Sequence, residues 1–127
     1  MAKILNVVET AYRANIEEQD EPILWIIHAL KNAGADVSFL LRANAVNYAL
    51  KEQNTKGLSI GGCSVERPPK IDQDIADMIE KGVSVYLVQE DAEERALESS
   101  DMISGFNYVK RSDIAELFDQ HDQVWHW

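Results

Sequence analysis

The chain has 127 residues, a single cysteine and a formal net charge of −10, from 22 acidic and 12 basic residues. This length predicts one domain, spanning residues 1–127, with a hydrophobic core of its own. One cysteine excludes an internal disulfide, and the acidic charge argues against nucleic acid and an anionic membrane as partners, because both are negatively charged.

Targeting and membrane-spanning signals are also missing from the sequence. The first ten residues, MAKILNVVET, lack the apolar core and the small-residue cleavage site of a signal peptide. No apolar run approaches the roughly 20 residues that span a bilayer. Together with the lone cysteine, which suits a reducing compartment, these features predict a cytoplasmic protein.

Apolar runs of strand length alternate with stretches of helical periodicity along the chain. In chain order, the predicted elements are strand 3–8, helix 21–34, strand 36–41, helix 44–53, helix 71–82, strand 83–88, helix 91–97, strand 106–110, helix 112–121 and strand 123–127. Strands separated by helices imply crossover connections, and therefore a parallel sheet covered on both faces. We expect an α/β fold, a three-layer α/β/α sandwich around a five-stranded parallel sheet.

Several of the predicted helices begin or end at residues that favour helix termini. Pro22 suits the first turn of the first helix, and Gly34 suits its C-terminal end. Asn44, Asp91 and Ser112 are predicted to cap the N-termini of three later helices, because their side chains accept hydrogen bonds from the first free backbone N–H groups.

The stretch 54–70 is predicted to be a long loop, since it contains three glycines and two prolines. It holds Cys63, the only cysteine. Loops of this length often carry function, so Cys63 is a candidate catalytic thiol. A nearby guanidinium would favour the thiolate, and the alternative is an inert thiol on the loop.

In open parallel sheets, ligands bind at the carboxyl ends of the strands. The predicted ends carry Glu9 and Thr10 after the first strand, Arg42 after the second, and Gln89 and Glu90 after the third. These side chains are candidate ligands for an anionic or amide-bearing molecule. Alternatively, Glu9 and Arg42 simply pair across neighbouring strands.

Cofactor and metal sites are not predicted. The stretch VVETAYRAN after the first strand contains no glycine, which argues against a phosphate-binding loop or a dinucleotide fingerprint. His121 and His126 lie on either side of a predicted helix end, a spacing that does not favour convergence on one metal ion. We therefore expect no cofactor and no metal.

The closing stretch VWHW places Val124 and His126 on one face of the last strand and Trp125 and Trp127 on the other. Two interpretations remain open for the tryptophans. They either pack beneath a helix of their own subunit or contribute to a subunit interface, where tryptophan is favoured.

Three stretches of the sequence, in this order and spacing, resemble one known family. They are ALKNAGADVSFLLRANAVNYALK, IADMIEKGVSVYLVQEDAEERAL and GFNYVKRSDIAELFDQHDQVWHW. The chain thereby resembles, over nearly its whole length, the DsrE/DsrF/DsrH-like proteins, which include the TusBCD components. The resemblance implies a small cytoplasmic α/β/α protein that assembles as a homo-oligomer or with sibling DsrE-like subunits, often as a trimer or hexamer.

Several members of this family relay sulfur as a cysteine persulfide, on a cysteine that ends the strand of the third crossover. Here that position is Val88, followed by Gln89 where glycine is common. Arg95 matches an arginine of the following short helix. The stretch after the second strand reads Ala45–Val46 where the family often has Gly-Val. This chain is therefore expected to be a member that lacks the usual relay cysteine.

Three functional hypotheses follow from these residues. The first is a non-catalytic binding or scaffold subunit of intracellular sulfur metabolism, with a sulfur-carrier protein as a possible partner. The second is a persulfide carrier or sulfurtransferase that uses Cys63. The third is a small-ligand-binding protein whose pocket includes Glu9, Thr10, Arg42, Gln89, Glu90 and Arg95. Whether the chain is an enzyme stays open between them.

Overall fold

The centre of the molecule is a sheet of five parallel strands. A computed structural model describes residues 1–12, 21–53, 59–64 and 67–127. The strands in this part of the chain are β1 (Lys3–Val8), β2 (Asp36–Leu41), β3 (Ser59–Ile60), β4 (Cys63–Ser64), β5 (Ser84–Val88), β6 (Asn107–Val109) and β7 (Gln123–His126). The sheet has the order β6-β5-β2-β1-β7, and β3 and β4 form a separate antiparallel hairpin.

The connections between the parallel strands are helical. The α-helices are α1 (Pro22–Asn32), α2 (Ile71–Glu80), α3 (Gln89–Glu94) and α4 (Ile114–Asp119), and shorter 3-10 helices span Ala43–Ala49, Ser99–Asp101 and Arg111–Asp113. These helices return the chain to the start of the next parallel strand, as the crossover rule requires.

Each face of the sheet carries its own hydrophobic core. On one face, α1, α2 and the 3-10 helix Ala43–Ala49 pack over alternate strand residues such as Phe39 and Val85. On the other face, α4 packs over Leu40 and Val88, together with residues of β1. Neighbouring residues of one strand point to opposite faces, which explains the two cores. The predicted three-layer α/β/α sandwich is confirmed.

Strand β7 lies at the edge of the sheet, beside β1. Its register places Val124 opposite Leu5 and His126 opposite Val7. Leu5 and Val7 belong to the core under α4. Trp127 packs against the other core, and its indole Nε1 donates to Oδ1 of the buried Asn6 over 3.1 Å. The predicted separation of the tryptophans from Val124 and His126 is therefore confirmed.

The predicted helix 44–53 is wrong in type and length. The structure has a 3-10 helix at Ala43–Ala49, and the chain beyond it pairs with a distant segment instead of continuing the helix. Ile103 N–H donates to the Ala49 carbonyl over 2.9 Å, and Lys51 N–H donates to the Asp101 carbonyl over 2.9 Å. Backbone pairing with residues 101–103 thus replaces the local helical hydrogen bonds.

Three predicted N-caps are also wrong, because their side chains do not cap these helices. Asn44 lies inside the 3-10 helix, Asp91 lies inside α3, and Ser112 lies in the 3-10 turn that precedes α4. At α1, the cap is Glu21, whose Oε2 accepts from Leu24 N–H over 2.8 Å, with Pro22 in the first turn as predicted.

The predicted loop 54–70 includes the short hairpin of β3 and β4. The hairpin turns at Gly61 and Gly62 and places Cys63 opposite Ile60, and both of these side chains are exposed. Residues 54–58 and 65–66 lie outside the described residues, so the structure covers only part of the predicted loop.

Gly105 provides a test of the packing between α2 and the chain that enters β6. Its φ is +105°, and a Cβ added there would lie 2.9 Å from Cγ2 of Ile79, a side chain that is stiff in a helix. Gly82 has a φ of +87° with nothing within 4 Å. We expect Gly82→Ala to lower the free energy of unfolding by about 1–2 kcal/mol, and Gly105→Ala by at least about 1 kcal/mol more.

Urea denaturation of both variants and the wild type measures this difference. Equal losses in the two variants would show that α2 and Gly105 are not in close contact.

Candidate functional site

The carboxyl ends of β7, β1 and β2 bring together one acid and two bases. Oε1 of Glu9, directly after β1, lies 3.4 Å from Nε of Arg42 and 3.1 Å from Nε2 of His126. The three side chains remain 37%, 34% and 59% exposed, respectively. Ion pairs exposed to water contribute little to stability. The contacts between these three side chains can therefore be replaced by contacts with a ligand at a small cost in free energy.

Asp91 joins two neighbouring parts of the carboxyl edge. It lies in α3, directly after β5, and its side chain is buried. Oδ2 accepts from the backbone N–H of Ala43 over 2.7 Å, and Oδ1 accepts from Nη2 of Arg111. Ala43 follows the end of β2 and has a φ of +51°, an unfavourable conformation for a residue with a Cβ. The bond to Asp91 helps hold this turn in place.

Arg111 is bound by three acids of α3. Its guanidinium contacts Asp91 and also Oε1 of Glu94, over 3.0 Å. Its backbone N–H donates to both carboxylate oxygens of Glu90, at 3.0 and 2.8 Å. Since Arg111 follows β6, these contacts fasten the end of β6 to the helix that follows β5.

The charges of this network shift the pKa values of its members. Burial alone would raise the pKa of Asp91, but the hydrogen bond from Ala43 and the guanidinium of Arg111 together lower it below its ordinary value. The hydrogen bonds to Asp91 and Glu94 raise the pKa of Arg111. Asp91 is therefore an ionised, hydrogen-bonded carboxylate at neutral pH and is not suited to act as a general base.

Arg95, the arginine that the family resemblance singled out, completes the same cluster. Its Nε and Nη2 donate to Oδ1 of Asn44 over 3.2 and 2.9 Å, and its Nη1 donates to the Asp91 carbonyl over 3.1 Å. It ties α3 to the 3-10 helix that follows β2. These contacts give Arg95 a structural role in this conformation.

Gln89 begins α3 and faces a second part of the surface. Its Nε2 donates to Oε1 of Glu93 over 3.0 Å. Both side chains lie at the rim of a groove of about 400 Å³, whose walls include Leu97, Met102 and Tyr108. This groove is a second place at which the edge of the sheet could take up a small molecule.

The structure therefore arranges the predicted residues in three groups. Glu9 and Arg42 lie together, Glu90 and Arg95 lie in the network of Asp91, and Gln89 lies on the groove beside Glu93. Thr10 is exposed next to Glu9.

Sequence reasoning missed three members of these groups. The sequence pattern predicts Asp91 to be a helix cap, weighs His126 as a metal ligand, and assigns no role to Arg111. The position of Arg111 directly after the predicted strand 106–110 was a signal for its role. The acidic stretch QEDAEE follows the preceding strand in the chain, so the two stretches were expected at the same end of the sheet.

The two positions that bear on sulfur chemistry differ in exposure. Val88, where the resemblance places the relay thiol, is completely buried in the core beneath α4. Cys63 is a free cysteine, exposed on the hairpin. The position that corresponds to the relay cysteine therefore supplies no thiol, and the thiol of this chain is the exposed Cys63.

Neither a metal site nor a membrane-spanning helix is present in the described ranges. Residues 1–12, 21–53, 59–64 and 67–127 contain no group of three or more His, Cys, Asp or Glu side chains placed to hold a metal ion. In the same ranges, no helix combines the length and the apolar character needed to cross a bilayer.

Asp91→Asn tests the network at the carboxyl edge. The amide keeps one acceptor but loses the charge and one of the two accepting oxygens, so we expect the free energy of unfolding to fall by about 1–3 kcal/mol at pH 7. Since the pKa of Asp91 is lower in the folded than in the unfolded chain, its contribution is fully present above an unfolded pKa of about 4. It is lost as the pH falls through the folded pKa.

The measurement is urea denaturation between pH 7 and pH 2. The control is Asp36→Asn, which changes an exposed acid at the amino end of β2. We expect the wild type and Asp91→Asn to converge in stability at acidic pH. A difference that does not depend on pH would contradict the role of the Asp91 charge.

Comparison with protein-family models gave no match, and neither did comparison with curated proteins. Solved structures do match over the whole length. The ychN protein of E. coli is 20% identical, with complete coverage of both chains and a TM-score of 0.76. MTH1491 from Methanobacterium thermoautotrophicum, described as a protein of unknown function, is 8% identical, with 98% and 99% coverage and a TM-score of 0.66. The chain therefore has the DsrE-like α/β fold of these two proteins.

Proposed function

We propose that this protein is a DsrE-like protein of intracellular sulfur metabolism that acts as a non-catalytic binding or scaffold subunit of an oligomer. The observation that carries the proposal is Val88. At the strand end where relay members of the family have their cysteine, this chain has a fully buried aliphatic side chain within a hydrophobic core. Valine provides no nucleophile, so the usual relay step has no group to perform it.

The surroundings of Val88 also support a structural rather than a catalytic role. Asp91, Arg111 and Arg95 bind one another and neighbouring backbone groups. A catalytic group needs a free face toward a substrate and a pKa near the working pH. A carboxylate already held by two donors, with a lowered pKa, stabilises this edge of the sheet instead.

Binding would take place at the exposed groups of the same edge. Glu9, Arg42 and His126 converge at the ends of three neighbouring strands and are all solvent-accessible. Arginine and histidine suit an anionic or amide-bearing group, either of a small molecule or of a sulfur-carrier protein. This arrangement also supports the third hypothesis, a small-ligand-binding protein.

A persulfide carrier that uses Cys63 is the competing function, and the exposure of this thiol favours it. An exposed thiol on a hairpin is accessible to a donor and an acceptor protein. The experiment that separates the two functions is intact-mass spectrometry after incubation with a persulfide donor, on the wild type and on Cys63→Ser.

We expect no added sulfur on the wild type, while Cys63 remains open to alkylation. Addition of one or more sulfur atoms to the wild type, absent in Cys63→Ser, would contradict the scaffold function and establish Cys63 as a working thiol.

The oligomer is tested separately. We propose that copies of this chain or sibling DsrE-like subunits associate, with Trp125 and Trp127 as interface candidates. Trp127 already donates a hydrogen bond to buried Asn6, so Trp125→Ala is the cleaner variant. Sedimentation equilibrium should give a trimer or hexamer of the 14.3 kDa chain, weakened in Trp125→Ala and unchanged in Trp25→Ala. A 14.3 kDa species at all concentrations would contradict self-association.

A further inference from the structure

A second recess lies on the helical layer, between α1 and α2. It is an open groove of about 360 Å³. Its walls are two facing stripes with helical spacing: Trp25, His28 and Asn32 on α1, and Asp74, Asp77 and Lys81 on and just after α2. The strand-end residues discussed above do not contribute to it. The groove therefore combines a large aromatic side chain with two carboxylates.

Hydrogen bonds across the groove hold its walls in position. His28 Nε2 lies 2.9 Å from the Asp74 carbonyl oxygen, which can only accept, so Nε2 is the donor in this hydrogen bond. Lys81 Nζ donates to Oδ1 of Asn32 over 3.2 Å and lies 3.4 Å from His28 Nδ1. These contacts join α1 to α2, so the groove is formed before a ligand arrives.

The chemistry of the groove suits a planar cation. Trp25 is 58% exposed, so part of its indole is open to a partner. Gln73 Nε2 donates to Oδ1 of Asp77 over 2.8 Å and thereby orients this carboxylate. An indole face attracts a cation through its quadrupole, and a guanidinium also stacks on it and bonds carboxylates in its plane.

We propose that this groove binds an arginine side chain of a basic segment on a partner protein, with the guanidinium between the Trp25 indole and the Asp77 carboxylate. Arginine fits better than lysine because its flat guanidinium stacks on the indole while its edge donates to the acid. The chain's net charge of −10 attracts a basic surface and accelerates its encounter.

A protein segment is favoured over a small free cation by the shape of the groove. Small-molecule sites bury most of the ligand surface, whereas this groove is open along the two helices. A side chain projecting from a partner needs only such an open recess, since the surface around it supplies the remaining contacts. Exposed tryptophan is also a common centre of protein interfaces. The site is independent of the function proposed for the strand ends.

The experiment uses the full chain and a labelled Gly-Arg-Gly-Arg-Gly peptide, with the matched peptide in which citrulline replaces arginine. The indole N–H resonance of Trp25, assigned with Trp25→Leu, reports the location by two-dimensional NMR, and fluorescence anisotropy reports affinity. We expect the arginine peptide to shift the Trp25 signal and leave those of Trp125 and Trp127 in place. The citrulline peptide should have no effect.

Variants on the groove should change affinity in opposite directions. Trp25→Leu, which conserves charge, and Asp77→Asn should each weaken the arginine peptide by about fivefold or more, the loss expected for a cation–π contact or a charged hydrogen bond. Lys81→Gln removes a competing ammonium and should strengthen binding. Glu80→Gln, an exposed acid on α2 outside the groove, is the matched control and should have little effect.

Equal weakening by Glu80→Gln and Asp77→Asn, with no effect of Trp25→Leu, would overturn the proposal in favour of general charge attraction. The affinity of agmatine, a small guanidinium compound, is compared with that of the arginine peptide. Agmatine binding as tightly as the peptide would overturn the choice of a protein partner. Spectra of the free variants establish that each one is folded, so a loss of affinity is assigned to the groove.

Discussion

The hydrogen bonds accepted by the Asp91 carboxylate hold the carboxyl edge of this sheet together. The carboxylate accepts from Ala43, after β2, and from Arg111, after β6, while Asp91 itself follows β5. Three consecutive strands of the sheet are thus fixed to one buried side chain at the end where α/β proteins bind their ligands. Its charge is stabilised by these donors, which offsets the cost of burying it.

This arrangement divides the carboxyl edge into two halves that differ in how many contacts their side chains make with one another. Around Asp91, arginines and acids are held by one another, and Val88 beneath them is part of the core. Around Glu9, Arg42 and His126, the side chains are partly exposed, and the Glu9 carboxylate contacts both of the other two. The binding proposed for this edge therefore falls on the ends of β2, β1 and β7, while hydrogen bonds join the ends of β5, β6 and β2 to one another.

The helical layer offers a different chemistry from the strand ends. The strand ends present arginine and histidine, which suit anionic or amide groups, whereas the groove between α1 and α2 presents Trp25 and carboxylates, which suit a cation. The two surfaces do not share residues. A subunit with both would contact a ligand or carrier at one place and a basic partner at another, as a scaffold subunit requires.

Alternation of apolar strands and amphipathic helices was sufficient to predict the five-stranded parallel sheet and its three layers, and the period of two in the last strand correctly separated Trp127 from His126. These are local patterns, because burial on a sheet or a helix repeats every few residues. The role of Asp91, the partner of His126 and the end of the helix at Ala49 depended on groups that lie tens of residues away in the chain. Only the tertiary structure decided these, since a hydrogen bond or ion pair between distant segments leaves no periodic signal in the sequence.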